Sequence, residues 1–225
     1  LPAPGAAAAD ATFGTPTATA PWAQGVRFRE PVTLTRPAIR AELLIASPIE
    51  PNGFLVADTG SVEAGSGALD YELDASQGGV LPNTSLTGRW RLTFADGTTL
   101  VGPAVSATYR DTRFDWRTLT GSLVRLHWYS GSEAFGRRAL AIGEAAIRSS
   151  STLLGVTETS PVDFFVYADQ AAFYDALGPG TRENVGGQAN PEIRTLFALI
   201  EPSEIDAEWV SIVIDRKSTR LNSSH

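Results

Sequence analysis

The sequence predicts a two-domain protein of the α+β class, with an antiparallel β-sandwich over residues 21–112 and an α/β unit over residues 113–214. Three observations predict it. Between Trp22 and about Tyr109, short alternating or compact apolar segments are separated by prolines and turn residues, which is the grammar of strands. After "RDTRFDWRTLTGS" strands and helices alternate, the order of an α/β unit. The chain has 225 residues, 43% of them hydrophobic, enough for one large core or two small ones.

In the first region "VRFREPVTLT" alternates with period two, "AELLIAS" is a compact apolar run, and "RWRLTFADGTTLVGPAVSATY" sets Trp90, Leu92 and Phe94 on one face before an Asp96-Gly97 pair. Such a pair between alternating segments is the strongest short-range hairpin signal. Pro31, Pro37, Pro48, Pro51, Pro82 and Pro103 punctuate these runs in a way that a long helix would not tolerate. The spacing suits a sandwich of immunoglobulin-like type, a module that usually binds or spaces.

In the second region "LVRLHWYS" reads as a strand. Ser132 and Glu133 then open a helix, "SEAFGRRALAIGEAAIRSSSTLLG", in which Phe135, Ala139, Ile142 and Ala146 recur at helical spacing and which Gly155 closes. "VDFFVYAD" is a buried strand, "QAAFYDALG" a short helix closed by Gly178, and "RTLFALI" another strand. In "PSEIDAEWVSIVI", Ser203 precedes acidic residues and an apolar face, which predicts a helix start.

The formal charge of −7 and the scattered arginines argue against nucleic acid or anionic lipid as a partner, since counterion release needs clustered cations. No apolar run approaches the roughly 18 residues of a membrane-spanning helix, so no membrane span is expected. Cysteine is absent, which removes disulfides and thiolate chemistry from these residues. Methionine is absent too, so the natural start is expected to be missing or removed. Residues 1–20 are rich in small residues and lack an apolar pattern; "GAAAADA" has the look of a signal-peptidase site, so they read as a signal-peptide remnant or a disordered linker, and export to the extracellular space or cell surface of a bacterium is expected. At the other end Lys217 is the only lysine beside seventeen arginines. Residues 215–225, "DRKSTRLNSSH", break that usage and resemble the translation of a common sequencing-library adapter. They are expected to be an artefactual tail, with the natural chain cut after Ile214.

Candidate chemistry is sparse. His127, in the strand between Leu126 and Trp128, reads as a packed or surface residue, since zinc needs three or four donors and a triad needs partners. No G-x-S-x-G elbow precedes a helix, so serine hydrolysis has no support. Asp111 and Asp115 at the domain junction, and Glu204, Asp206 and Glu208 in a helix's first turn, read as solvated acids without calcium-loop spacing. Asn83 begins an N-x-S tripeptide of a kind frequent by chance. "GPGTRENVGGQANPE" lacks the phosphate-loop pattern and any lysine; it reads as an irregular loop or as an edge strand whose main chain lies bare at Gly186 and Gly187.

The stretch "VDFFVYADQAAFYDALGPGTRENVGGQANPEIRTLFALIEPSEIDAEWVSIVI", with the long helix before it, resembles the N-terminal part of the peptidase MA-like metallohydrolases, within the gluzincin or thermolysin-like zinc peptidases. The likeness covers roughly residues 122–214. It implies that residues 113–214 are the incomplete N-terminal subdomain of a thermolysin-like fold. It also implies that H-E-x-x-H, two histidines on zinc with a glutamate activating the bound water, belongs just past Ile214. The full-length parent is then an exported zinc metallopeptidase that hydrolyses peptide bonds in a peptide or protein substrate. This chain is then expected to carry no catalytic or metal residue, to bind no catalytic zinc and to be inactive. The resemblance implies one further site, an edge strand that pairs with substrate main chain, matched here by Gly186, Gly187, Gln188 and Ala189. A non-catalytic secreted binding or adhesion protein, or a degenerate peptidase homologue, is the alternative that a frame lacking H-E-x-x-H would favour. Substrate specificity, oligomeric state and any C-terminal anchor are expected to be set past the cut.

Overall fold

The computed structural model describes residues 10–47, 54–75, 80–158, 160–178 and 186–222. The described residues form a β-rich α+β fold with three α-helices, none long and apolar enough to cross a membrane. It divides into two compact units: the described residues up to 75 with 84–110, and residues 80–83 with 111–222.

The first unit contains β1 (Ala11–Phe13), β2 (Thr17–Thr19), β3 (Gly25–Leu34), β4 (Ala38–Ala46), β5 (Phe54–Val62), β6 (Gly65–Asp74), β7 (Ser85–Phe94), β8 (Thr99–Val101) and β9 (Val105–Thr108). One sheet is centred on β3, with β6 along one side and β1 and β2 along the other; the second runs β5-β4-β7, with β8 and β9 along the far side of β7. All pairings are antiparallel. Alternation buries Val26, Phe28, Val32 and Leu34 from β3 and Leu86, Trp90, Leu92 and Phe94 from β7. The two faces meet at Gly88, where a Cβ would stand 2.5 Å from Phe28 Cδ1. The Asp96-Gly97 hairpin forms as expected: Gly97 has φ +82° and the Thr98 N–H donates to Asp96 Oδ1 at 2.9 Å.

Two expectations need correction. Residues 11–13 and 17–19 are strands rather than an unfolded lead, because main-chain pairing to β3 needs no apolar period and Arg36 grips Asp10 with two bonds of 2.9 Å. Residues 1–9 lie outside the described residues, as do Pro48 and Pro51. Pro31 lies inside β3 instead of between strands. In an antiparallel strand the N–H and C=O of one residue point the same way, and the Pro31 carbonyl accepts from Gly14 N–H at 2.7 Å, in the gap between the β1 and β2 pairings. Its missing donor therefore falls where no ladder bond is needed.

The second unit contains β10 (Arg117–Thr120), β11 (Val124–Trp128), α1 (Glu133–Leu154), β12 (Val162–Tyr167), α2 (Gln170–Leu177), β13 (Gly187–Asn190), β14 (Thr195–Leu199) and α3 (Glu208–Asn222). Its sheet runs β10-β11-β12-β14-β13, with β11, β12 and β14 parallel and both outer strands antiparallel. One face buries Val124, Leu126, Trp128, Phe164, Val166, Leu196 and Ala198 in a core shared with Phe135, Ala139 and Ile147 of α1 and Val210, Ile214 and Leu221 of α3. Ser132 caps α1 by accepting the Phe135 N–H at 3.2 Å, and Gly155 ends it in the left-handed region at φ +68°. The last helix starts later than Ser203: Pro202–Glu204 is a 3-10 turn with proline at its first position, and α3 begins at Glu208. It runs on past Ile214 to Asn222, with Ile214, Ser218 and Leu221 buried along one face at helical spacing.

Candidate functional site

The residues singled out for main-chain recognition fall at the rim of the second sheet. Asn190 leads into a 3-10 turn, Pro191–Ile193, and Arg194 reverses the chain in the left-handed region at φ +48°, its N–H donating to the Pro191 carbonyl at 3.0 Å. That tight connection makes β13 and β14 a hairpin and leaves β13 at the sheet's edge. Of the two readings open for the glycine-rich stretch, the edge strand holds for residues 187–190; residues 179–185 lie outside the described residues.

The ladder fixes which main-chain groups are bare. Leu199 N–H donates to the Gly186 carbonyl at 3.0 Å, and Gln188 and Asn190 stand opposite Phe197 and Thr195. Since facing directions alternate along an antiparallel strand, Gly186, Gln188 and Asn190 bond towards β14, while the N–H and C=O of Gly187 and Ala189 point to the open edge. No strand among the described residues pairs with them there. On the helix face, a Cβ at Gly187 would lie 3.1 Å from the Phe197 carbonyl oxygen and 3.2 Å from Val213 of α3, and Ala189 is buried. On the other face Gln188 donates through Nε2 to Asn190 Oδ1 at 2.9 Å. A Cβ at Gly186 would stand 3.8 Å from the ring of Trp209 on α3, which is 37% exposed. The arrangement offers two outward N–H and C=O pairs, side by side with a helix, to an extended chain.

The other candidates are polar structure of the second unit. His127 is packed, as expected, and it has partners that the sequence did not reveal. Its ring stacks on Phe165 with centroids 4.2 Å apart, Nε2 lies 2.7 Å from Asp163 Oδ1, and Nδ1 lies 3.1 Å from the Thr118 hydroxyl. Asp163 also accepts two bonds from Arg125 at 2.6 and 2.9 Å and one from Asn83 Nδ2 at 3.2 Å. Burial pushes the Asp163 carboxyl up, but the hydrogen bonds from His127 and Arg125 outweigh it and hold the group well below the usual carboxylate range. Asn83 also donates to the Thr195 hydroxyl at 3.0 Å, so its amide is part of this network.

Asp111 is buried rather than solvated. Arg113, two residues on, folds back to bond both its oxygens, and the buried Tyr167 hydroxyl donates to it at 3.0 Å, an arrangement no spacing rule announces. Asp115, Glu204, Asp206 and Glu208 are exposed, as expected. Among the described residues no three His, Cys, Asp or Glu side chains form a set that could hold a metal ion, so no residue here is assigned to zinc.

No protein-family model and no curated protein matches the chain. Among solved structures it is similar to OgpA from Akkermansia muciniphila. To the catalytically inactive form in complex with an O-glycopeptide substrate, glycodrosocin, it is 12% identical with a TM-score of 0.35 over 45% of this chain and 30% of that one. To the wild-type protein it is 10% identical with a TM-score of 0.36. A cycloalternan-degrading enzyme from Trueperella pyogenes matches at 14% identity and a TM-score of 0.24 over 48% of this chain and 13% of that one. The chain thus spans less than a third of the length of each, and likenesses this slight carry no argument about its fold or chemistry.

Proposed function

We propose that the chain is the front part of an exported zinc metallopeptidase, with an immunoglobulin-like module followed by the N-terminal subdomain of a thermolysin-like domain, and that β13 holds the extended substrate. The observation that carries this reading is the open main-chain edge at Gly187 and Ala189, lying along α3. The resemblance in residues 122–214 adds the expected zinc chemistry past Ile214, in which a bound metal activates water for peptide hydrolysis. The part played by these residues is to bind and orient. A peptide laid antiparallel to β13 exchanges main-chain bonds with Gly187 and Ala189, and the bare Gly186 admits its side chains towards Trp209.

Recovering the natural reading frame past Ile214 tests the enzyme part. H-E-x-x-H there, followed by zinc-dependent proteolysis by the whole product, supports it; a frame without that motif leaves a secreted binding protein. The strand itself is tested by titrating extended peptides into the chain. Ala189→Pro, which deletes one outward donor, is expected to weaken binding by about three- to tenfold, the worth of one hydrogen bond. An unchanged dissociation constant sinks the edge assignment.

A further inference from the structure

The core-facing row of β3 runs Val26, Phe28, Glu30, Val32, Leu34, so the alternation that buries four apolar side chains also buries a carboxyl group. Glu30 is 0% exposed, and among the described residues neither of its oxygens has a hydrogen-bond partner in the protein. Leu69 of β6 stands opposite it in register. Phe13 of β1 and Gly102, which follows β8, close around the carboxyl: a Cβ at Gly102 would lie 2.7 and 2.8 Å from its oxygens and 2.9 Å from the Phe13 ring. Gly102 is pinned there by its N–H, which donates to the Trp90 carbonyl at 2.8 Å.

Among the described residues, the strands packed on Glu30 bring it no counter-charge. β1, β2, β8 and β9 contain no charged residue. On β7 the arginines alternate away from Trp90, and Arg91 is engaged with Glu42 of β4 on the outer face. On β6, Asp70 and Glu72 alternate away from Leu69, and Asp70 pairs with Arg27. The titratable group that shares the inner face is Tyr71, opposite Phe28. Burial has already stripped the carboxyl of water, so an ionised carboxylate here would have neither hydration nor a described counter-charge to stabilise it.

We propose that Glu30 is a proton-operated latch of the first unit: as the neutral acid it is tolerated between the sheets, and its ionisation loosens β1 and the Gly102 segment from β3. The direction of the pH effect follows from burial, which pushes the carboxyl up from 4.5 to about 7. Between those values the folded state keeps a proton that the unfolded chain has released. Stability is therefore fully present below the unfolded value, falls as pH rises towards neutrality, and is level above it.

Amide hydrogen exchange on the full chain tests this, expressed as protection factors so that the intrinsic pH dependence of exchange is divided out. Protection at Gly102 and along β3 is expected to fall by about tenfold per pH unit between about pH 5 and 7, the slope for one proton, and to be level in Glu30→Gln. The same slope in Glu30→Gln, or a level wild type, overturns the latch. The carboxyl-carbon NMR shift of Glu30 in the wild type gives a second readout independent of how the variant folds. Titration near neutrality supports the proposal, and titration at an ordinary glutamate value overturns it.

Discussion

Each unit draws a carboxylate out of water through its sheet, Glu30 on β3 in the first and Asp163 on β12 in the second, and the two end in opposite states. Asp163, whose side chain is 13% exposed, is held well below the usual carboxylate range by the hydrogen bonds from His127 and Arg125, against the upward push of burial. Glu30 is pushed up towards the neutral acid. Charged residues adjacent in sequence do not explain the contrast, because Glu30 follows Arg29 directly while Asp163 sits between Val162 and Phe164. Faces explain it. Strand alternation sends Arg29 to the opposite side of β3, whereas parallel pairing sets Arg125 of β11 beside Asp163. What matters to a buried acid in a sheet is its cross-strand neighbour, and the two carboxyls are shifted in opposite directions as a result.

The sharpest way to break this comparison is Asp163→Ala, which leaves part-buried His127 without its acceptor while exposed Arg125 returns to water; it is expected to cost the second unit about 2 kcal/mol in chemical denaturation. A loss no larger than that of an exposed substitution would mean that the partners merely decorate the carboxylate. The acid response comes next. Asp163 has a lowered folded value, so its contribution is present above the unfolded value of 3.8 and is lost as pH falls below it. Asp163→Asn should flatten that acid limb, read by thermal unfolding across the acid range. Asn83→Ala removes one donor from the network and should cost about 1 kcal/mol. The smallest effect belongs to Thr118→Val: with an exposed hydroxyl on the far nitrogen of His127, about 0.5 kcal/mol or less is expected from the same measurement.

Much of the architecture was legible because it rests on period and punctuation. The β3 alternation, the Asp96-Gly97 hairpin, the capped α1 and the short helix before Gly178 follow from local signals. β1 and β2 were not legible, since three-residue strands of Ala, Thr and Phe carry no pattern and exist through pairing with β3. The site was legible in part. The bare glycines of "GGQAN" suggested an edge, but the outward direction of Gly187 and Ala189 comes from the register with β14. The partners of His127 and of Asp111 are products of register and of an arginine folding back, which no spacing encodes. Glu30 stood in plain view on the apolar face of an alternating strand, yet its surroundings depend on the other strands packed against it.

The hairpin that bares β13 also bounds what β13 can join. An exposed strand edge invites the same strand of a second copy as readily as it invites a peptide, and long edges of this kind nucleate stacked sheets. Here the strand is 4 residues long and ends at Asn190 in a 3-10 turn that opens with Pro191, which has no N–H to offer. Past Asn190 the edge therefore cannot continue into a self-associating ladder.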